Sequence, residues 1–185
     1  FCATYYSGSF VLGFLGGGLG GMAVALFVVL LCIRFGLNQI VIGIALTIGA
    51  EGLTALLQYF QFSREHPTLP ASPVLAIPGL SDIPVIGPGL FAHDAVVYLA
   101  VILVWVLAWA FRSTYIGINL EAAGSKPAAL DAAGVSVVTT RACAVLSTGF
   151  LAGVGGAYMA NVGAGIFVPF MTGGDGFIGI VLAML

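Results

Sequence analysis

Four long apolar runs restrict what this chain can fold into more than any other feature of its sequence. They cover residues 10–33, 40–60, 95–111 and roughly 142–162. Each is close to the ~20 residues that an α-helix needs to cross the hydrocarbon of a bilayer. Of the 185 residues 61% are hydrophobic and only 6% are charged, against about 25% charged in soluble domains. Because backbone in lipid must satisfy its own hydrogen bonds, we predict an all-α, polytopic transmembrane helix bundle with at least four spans.

Small residues recur every fourth position in the first and fourth runs. Gly13, Gly17 and Gly21 form one such stripe, and Gly149, Gly153 and Ala157 form a second. Small side chains at this spacing let two membrane helices approach until their backbones touch. We therefore expect both runs to pack inside the bundle.

Residues 163–176 are rich in glycine and contain Pro169, a composition that a plain lipid-exposed helix does not tolerate. We expect a broken or re-entrant segment there. The apolar residues 177–185 that follow are too few to cross a bilayer. We interpret them as a truncated further span, and expect the sequence to be the interior of a longer protein.

The connections between the runs differ in character and in charge. Residues 61–94 contain many prolines, which exclude a continuous helix and favour an ordered loop or cap. Basic residues set the orientation of a membrane protein, because they accumulate on the cytoplasmic side. Arg34, Arg112, Lys126 and Arg141 fall in the first and third connections, and only Arg64 falls in the second. We predict that residues 112–141 are cytoplasmic and that residues 61–94 lie outside.

A short helix is predicted within residues 112–141. Ser125 is a suitable N-cap, Pro127 fits the first turn, and Gly134 fits the position after the last turn, which leaves residues 127–133 as the helix. Its alanines form a slim surface that fits a groove, with Leu130 as an apolar anchor for a partner. An amphipathic connector that lies on the membrane surface is the alternative.

Five strings of this sequence are similar, in the same order, to one family. GSKPAALDAAGVSV at residues 124–137 resembles the coupling-helix loop of permease subunits of ATP-binding-cassette (ABC) importers, in the branch serving ribose-like sugars, nucleosides and branched-chain amino acids. The other strings are at residues 38–46, 80–91, 147–158 and 171–178. The proline-rich string at 80–91 looks most like permeases of the nucleoside or simple-sugar type.

The resemblance implies that residues 1–185 are part of one permease domain in the plasma (inner) membrane, forming a translocation pathway for a nucleoside or related solute. It implies an ABC ATPase subunit, a second permease subunit, identical or paralogous, and an external substrate-binding protein or lipoprotein. ATP and magnesium would bind the ATPase, with no cofactor on this chain. Indeed, the sequence has no Gly-x-x-x-x-Gly-Lys-Ser/Thr motif. A net charge of −2 gives no basis for nucleic-acid binding.

The resemblance also assigns residues to the contact with the ATPase. These are Glu121, Gly124, Lys126, Pro127, Ala128, Ala129, Asp131 and Gly134. Two positions depart from the family pattern, which usually has a basic residue at Glu121 and often another at Asp175. The reversed charge at Glu121 is expected to change its electrostatic pairing with the ATPase.

Glu51 is the polar residue that stands out within the apolar runs. An ionised carboxylate near the middle of a span costs at least about 2.5 kcal/mol, so it must face protein or water. Thr47, Glu51, Thr54 and Gln58 share one helix face and are candidates for a polar solute path. Tyr158 and Asn161 are weaker candidates, and no catalytic or metal-ligating group is predicted.

Two other classes of function remain open at this stage. In an ion-coupled secondary transporter or channel, Glu51 would be the proton or cation site. For Glu51 itself, a protonated or hydrogen-bonded carboxyl that fixes helix packing is as compatible with the sequence as a place in the solute path. A membrane-embedded scaffold joined by glycine-rich helices would transport no solute.

Overall fold

The computed structural model describes residues 1–62, 69, 74–76, 92–169 and 171–184. The chain divides into two compact units, one of Phe1–Pro70 with Ala142–Leu185 and the other of Ala71–Arg141. The predicted outer cap at residues 61–94 lies mostly outside the described residues.

The first unit begins with a short helix and two long ones. Helix α1 (Cys2–Ser7) is capped by Gly8, whose positive φ of 66° terminates the helical conformation. Helix α2 (Phe10–Val28) continues without a break into a π-helical turn, Val29–Arg34. Helix α3 (Gln39–Phe62) follows, and the Asn38 carboxamide oxygen accepts the backbone N–H of Ile40 at 3.0 Å. This bond satisfies one of the free donors at the helix start.

In its described residues, the second unit contains a small sheet and three helices, followed by the first turns of a fourth. Strands β1 (Val74–Ala76) and β2 (Ala92–Asp94) pair antiparallel, with Leu75 opposite His93. Helix α4 (Ala95–Ser113), helix α5 (Tyr115–Ser125) and the short helix α6 (Pro127–Ala132) follow. The strand pair is not predictable from the sequence, because three-residue strands in a proline-rich stretch carry no clear alternation.

Helix α7 (Val137–Tyr158) continues into a second π-helical turn, Met159–Gly163. Beyond it the chain is irregular in the described residues 164–169 and 171–174, with positive φ at Gly165, Gly173 and Gly174. These are conformations that glycine adopts without strain. Helix α8 (Asp175–Met184) follows, so the break predicted for residues 163–176 is confirmed.

Within the described residues, four helical segments are long and apolar enough to cross a membrane: Phe10–Arg34, Gln39–Phe62, Ala95–Ser113 and Val137–Gly163. The predicted all-α polytopic class is thereby confirmed. The helix that contains the fourth predicted span begins at Val137, five residues before the span predicted from residue 142. Large apolar side chains remain exposed on the spans, among them Phe60 at 78% and Trp105 at 76%. Surfaces of this kind are stable against lipid or other apolar helices.

The two small-residue stripes meet where α2 packs against α7. A Cβ atom built on Gly21 would lie 2.7 Å from Gly153 Cα and 2.8 Å from its nitrogen, and would contact the Gly149 carbonyl. One built on Gly17 would lie 2.6 Å from Ala157 Cβ. Ordinary contact begins at about 3.4 Å. Only glycine permits this approach, so the predicted packing role of the stripes is confirmed.

Candidate functional site

The connection between α4 and α7 is a compact structure rather than an open loop. The chain turns at Thr114, whose backbone N–H donates to the Ala110 carbonyl at 3.2 Å. A Cβ atom on Gly117 would lie 2.7 Å from Phe111 Cα and would contact the Phe111 carbonyl oxygen. The missing side chain at Gly117 therefore lets α5 begin directly against the end of α4.

Helix α6 has well-formed ends. Pro127 occupies its first turn, where a missing N–H is no loss. At the other end, Gly134 has a φ of 82°, its N–H donates to the Asp131 carbonyl at 2.9 Å, and the Val135 N–H donates to the Leu130 carbonyl at 3.2 Å. This is a Schellman motif, which satisfies two carbonyls that the helix end leaves free. The helix comprises Pro127–Ala132 and is one residue shorter than predicted.

The predicted N-cap of α6 was wrong. Lys126 holds the cap position and makes no side-chain cap hydrogen bond. Ser125 is the last residue of α5, where its hydroxyl donates to the Glu121 carbonyl at 2.9 Å. Helix α5 extends to Ser125, so the serine hydroxyl donates to a carbonyl of that helix instead of capping α6.

The predicted role of Leu130 as an anchor for a partner was also wrong. Leu130 is only 4% exposed and packs with the buried Ala123 and Val137, with Val135 at the edge of the cluster. The apolar face of α6 is thus used within this chain. Such burial compensates for the low intrinsic stability of a two-turn helix.

Two polar contacts add to the apolar cluster. An Asp131 carboxylate oxygen accepts the Val137 backbone N–H at 3.3 Å, at the start of α7. The Arg141 guanidinium donates from Nε and Nη2 to the Ala123 carbonyl, at 3.2 and 2.7 Å. Asp131 and Arg141 therefore tie α6 and the end of α5 to the first turns of α7, within the second unit.

The surface of this connection contains every residue predicted for the ATPase contact. All of them are exposed: Glu121, Gly124, Lys126, Pro127, Ala128, Ala129, Asp131 and Gly134. Ala128 and Ala129 lie on the side of α6 that Leu130 leaves free. The arrangement presents a slim, rigid helix whose outward face carries no long side chain and can enter a groove.

A second candidate site is a cavity of about 520 Å³ within the first unit. Helices α1, α2, α3 and α7 contribute to its wall, mostly through small or apolar residues, and its polar side chains include Thr54 and Gln58. The Gln58 side-chain nitrogen donates to the Phe167 carbonyl at 2.8 Å. This bond joins α3 to the irregular segment after α7. Cavities of this size accommodate a small organic solute.

Only some of the residues predicted for a solute path on α3 lie at the cavity. Thr54 and Gln58 line the cavity, whereas Thr47 and Glu51 lie on the same helix but are absent from its wall. Glu51 is half-buried and Thr47 is exposed, with its hydroxyl donating to the Gly43 carbonyl at 2.9 Å. Their part in a solute path stays a prediction.

Asn161 lies in the π-helical turn after α7 and is 1% exposed, while Tyr158 is half-buried nearby in sequence. Both amide atoms of Asn161 are buried without a hydrogen-bond partner among the described residues, and so is the hydroxyl of Thr4 in α1, a residue 2% exposed. An unsatisfied buried polar group costs about 1–3 kcal/mol. Thr4 is not predictable from the sequence, because a single threonine in a short segment carries no signal of burial.

A family model described as "Branched-chain amino acid transport system / permease component" matches residues 1–185. A provisionally named glucose ABC transporter permease protein of Haloferax volcanii is 31% identical over 188 residues, covering 100% of this chain and 56% of the relative. A nucleoside ABC transporter permease protein of Lactococcus lactis is 38% identical over 105 residues, covering 56% of this chain and 33% of the relative.

A guanosine ABC transporter permease protein of Bacillus subtilis is 30% identical over 153 residues, 80% of this chain and 47% of the relative. The chain therefore spans about half the length, or less, of these curated relatives. No solved structure is significantly similar to the chain.

Proposed function

The chain belongs to the permease component family of branched-chain amino acid transport systems, and we propose that it forms part of the membrane-spanning permease subunit of an ATP-driven importer. The observation that carries this proposal is the family match over all 185 residues. The four candidate spans agree with a multi-pass membrane protein. We place that protein in the plasma membrane, with residues 112–141 cytoplasmic and residues 61–94 outside.

We propose that α6 is the coupling helix, which docks on the ATPase subunit. Its exposed face at Ala128 and Ala129 is small enough to enter a groove, while the buried Leu130 holds it to its own chain. When ATP brings the ATPase subunits together, they push on α6. Asp131 and Arg141 then pass this movement to the first turns of α7. The bundle exchanges between an inward-open and an outward-open packing in this mechanism.

The other parts of the importer follow from this assignment. ATP and magnesium bind the ATPase subunit, and this chain binds no cofactor. A second permease subunit, identical or paralogous, completes the pathway, and an external binding protein or lipoprotein delivers the solute. Glu121 is exposed beside α6 and carries a negative charge. It therefore requires a basic or neutral facing residue on the ATPase.

The proposed solute is a nucleoside or a related sugar-bearing compound. The relatives are named for glucose, nucleosides and guanosine, which all present sugar hydroxyls. Hydroxyls pair with polar side chains such as those of Thr54 and Gln58 at the cavity wall. Thr47, Glu51 and Tyr158 are proposed to line further parts of the path. An ion-coupled transporter using Glu51 is not favoured, because these relatives are named as ABC transporter proteins.

Charge placed on α6 tests the docking. In Ala128→Glu and Ala129→Glu variants of the complete transporter, the ATPase would have to bury an unpaired carboxylate. We expect at least about 2 kcal/mol of lost binding, or roughly thirtyfold in Kd. Binding of the purified ATPase to permease in nanodiscs measures this Kd, and ATP-dependent uptake should fall with it.

Two matched variants control this experiment. Ala128→Ser changes size slightly without adding charge, and Thr139→Glu adds a carboxylate at an exposed position of α7 outside the predicted contact. Both should keep ATPase binding within about threefold of wild type, below 1 kcal/mol. Unchanged ATPase binding and uptake in Ala128→Glu and Ala129→Glu would refute docking through α6.

A further inference from the structure

Thr4 and Asn161 hold buried polar atoms that no other part of the described structure satisfies. The Thr4 hydroxyl and both amide atoms of Asn161 have less than one square ångström of accessible surface each and no hydrogen-bond partner in the described part of the chain. Most buried polar groups of folded proteins are paired, so each exception calls for an explanation. Asn161 also lies in a π-helical turn, a local distortion that is frequent at functional sites.

The two side chains lie close together, at a point where α2 lacks a side chain. A Cβ atom on Gly13 would contact the Thr4 hydroxyl and would lie 3.1 Å from the Asn161 amide nitrogen. Threonine and asparagine thus approach from α1 and from the π-helical turn, and glycine at position 13 makes room for both. Any side chain there would separate or displace the pair.

This pair adjoins the cavity of the first unit. Gly13 is part of the cavity wall, and so are Ala3 and Ala160, the residues directly before Thr4 and Asn161. The unsatisfied atoms therefore lie beside the wall, next to Gly13. Because neighbouring residues of a helix point about 100° apart, a change in the packing of α1 or of the π-helical turn is needed to expose these atoms to the cavity.

The chemistry of the pair fits a hydroxyl group. The Thr4 hydroxyl donates and accepts, the Asn161 nitrogen donates, and its oxygen accepts. A solute hydroxyl needs both kinds of partner at once. We propose that Thr4 and Asn161 form a subsite for one hydroxyl of a sugar-bearing solute, opened during the transport cycle. This inference rests on the proposed function, and it adds the contact by which the permease itself recognises the solute.

Deoxy analogues test the subsite because each lacks a single hydroxyl. The complete transporter in proteoliposomes is supplied with guanosine or with its 2′-, 3′- or 5′-deoxy analogue, and in a second series with glucose and its deoxy analogues. ATP-dependent uptake is measured at saturating solute, where the external receptor is loaded, so that rate differences report the permease. Loss of one hydrogen bond to the solute corresponds to about tenfold.

We expect the wild-type transporter to carry one deoxy analogue about tenfold more slowly than its parent solute. Thr4→Val, which keeps the shape of threonine, and Asn161→Leu should each slow the parent by about the same factor. Thr4→Val and Asn161→Leu should each change the uptake rate of the slowly carried deoxy analogue less than about twofold. Thr4→Ser retains the hydroxyl and should restore selectivity. Thr148→Val, which removes a hydroxyl bonded only within α7, should leave all rates unchanged.

Equal slowing of every solute by Thr4→Val would overturn the subsite and show a structural role for the pair. Unchanged rates, or no discrimination by the wild-type transporter against any deoxy analogue, would overturn it too. In these cases ATP-dependent uptake by wild type persists and the proposed function stands. Absence of ATP-dependent uptake of both guanosine and glucose by wild type would instead count against the proposed solute class and the subsite together.

Discussion

Replacing Gly21 by alanine tests the packing of α2 on α7, with Gly20 as a matched position. The added methyl at Gly21 would meet only backbone: Gly153 Cα at 2.7 Å, the Gly153 nitrogen at 2.8 Å and the Gly149 carbonyl oxygen. Backbone atoms cannot rotate away as a side chain does. A methyl at Gly20, on the same helix, would meet no atom of the described residues within 4 Å.

The loss of stability expected for Gly21→Ala follows from the distance by which the added methyl separates α2 from α7. Moving a contact from 2.7 Å to the ordinary 3.4 Å displaces the helices locally by about 0.7 Å. A gap of that size forfeits roughly a quarter to a half of the dispersion energy of each affected contact. Overpacking of this kind destabilises by about 1–3 kcal/mol. Alanine in place of glycine also stabilises any helix by up to about 1 kcal/mol.

The two variants share this helix-propensity gain, so it cancels in their difference. Gly20→Ala should raise the free energy of unfolding by as much as about 1 kcal/mol. The free energy of unfolding of Gly21→Ala should be lower than that of Gly20→Ala by about 1–3 kcal/mol, which is the overpacking cost alone. Titration with SDS in mixed micelles, followed by circular dichroism, measures the free energy of unfolding of both variants.

Equal stability of the two variants, within about 0.5 kcal/mol, would show that α2 and α7 do not approach through Gly21. If Gly20→Ala lowered the free energy of unfolding and Gly21→Ala left it at the wild-type value, the contact would lie on the other face of α2. Either result would refute the reasoning from the close approach of Gly21 to Gly149 and Gly153.

Two further substitutions test the interactions that stabilise the candidate sites, namely the burial of Leu130 and the hydrogen bond from Gln58 to Phe167. Leu130→Ala removes most of the buried side chain that anchors α6, and truncations of this kind cost about 2–5 kcal/mol. Amide exchange in residues 127–135 should accelerate at least thirtyfold, whereas unchanged exchange would contradict the anchoring role. Gln58→Leu removes the bond to the Phe167 carbonyl, worth about 1 kcal/mol. Exchange in residues 164–169 should then accelerate about fivefold, and an equal change throughout α3 would instead indicate general destabilisation.

The membrane helices could be predicted from the sequence because lipid admits few backbone structures and each run has the length of a span. The start of α7 is not predictable in the same way, because Thr139, Thr140 and Arg141 continue the polar composition of the preceding connection. In the structure, Arg141 reaches back to the Ala123 carbonyl and is accommodated in the second turn of the helix. A long-range bond of this kind is invisible to a local pattern.

In the candidate sites too, features set by local backbone geometry could be predicted from the sequence, whereas features that depend on tertiary contacts could not. The ends of α6 were largely predictable, because proline and glycine act through their own backbone geometry. The burial of Leu130 depends on Ala123 and Val137, which only the folded chain brings together. Asn161 could be suspected as a polar group in an apolar run, whereas Thr4 becomes significant only through its position beside Gly13 and Asn161.

The most direct test of the central claim is the energy source of transport. The complete transporter, with its ATPase and receptor, is reconstituted in proteoliposomes and supplied with radiolabelled guanosine or glucose. We predict that uptake requires hydrolysable ATP, stops with a non-hydrolysable analogue, and is indifferent to ionophores that collapse proton and sodium gradients. Uptake that proceeds without ATP and stops when the ionophores are added would contradict the assignment and favour an ion-coupled transporter.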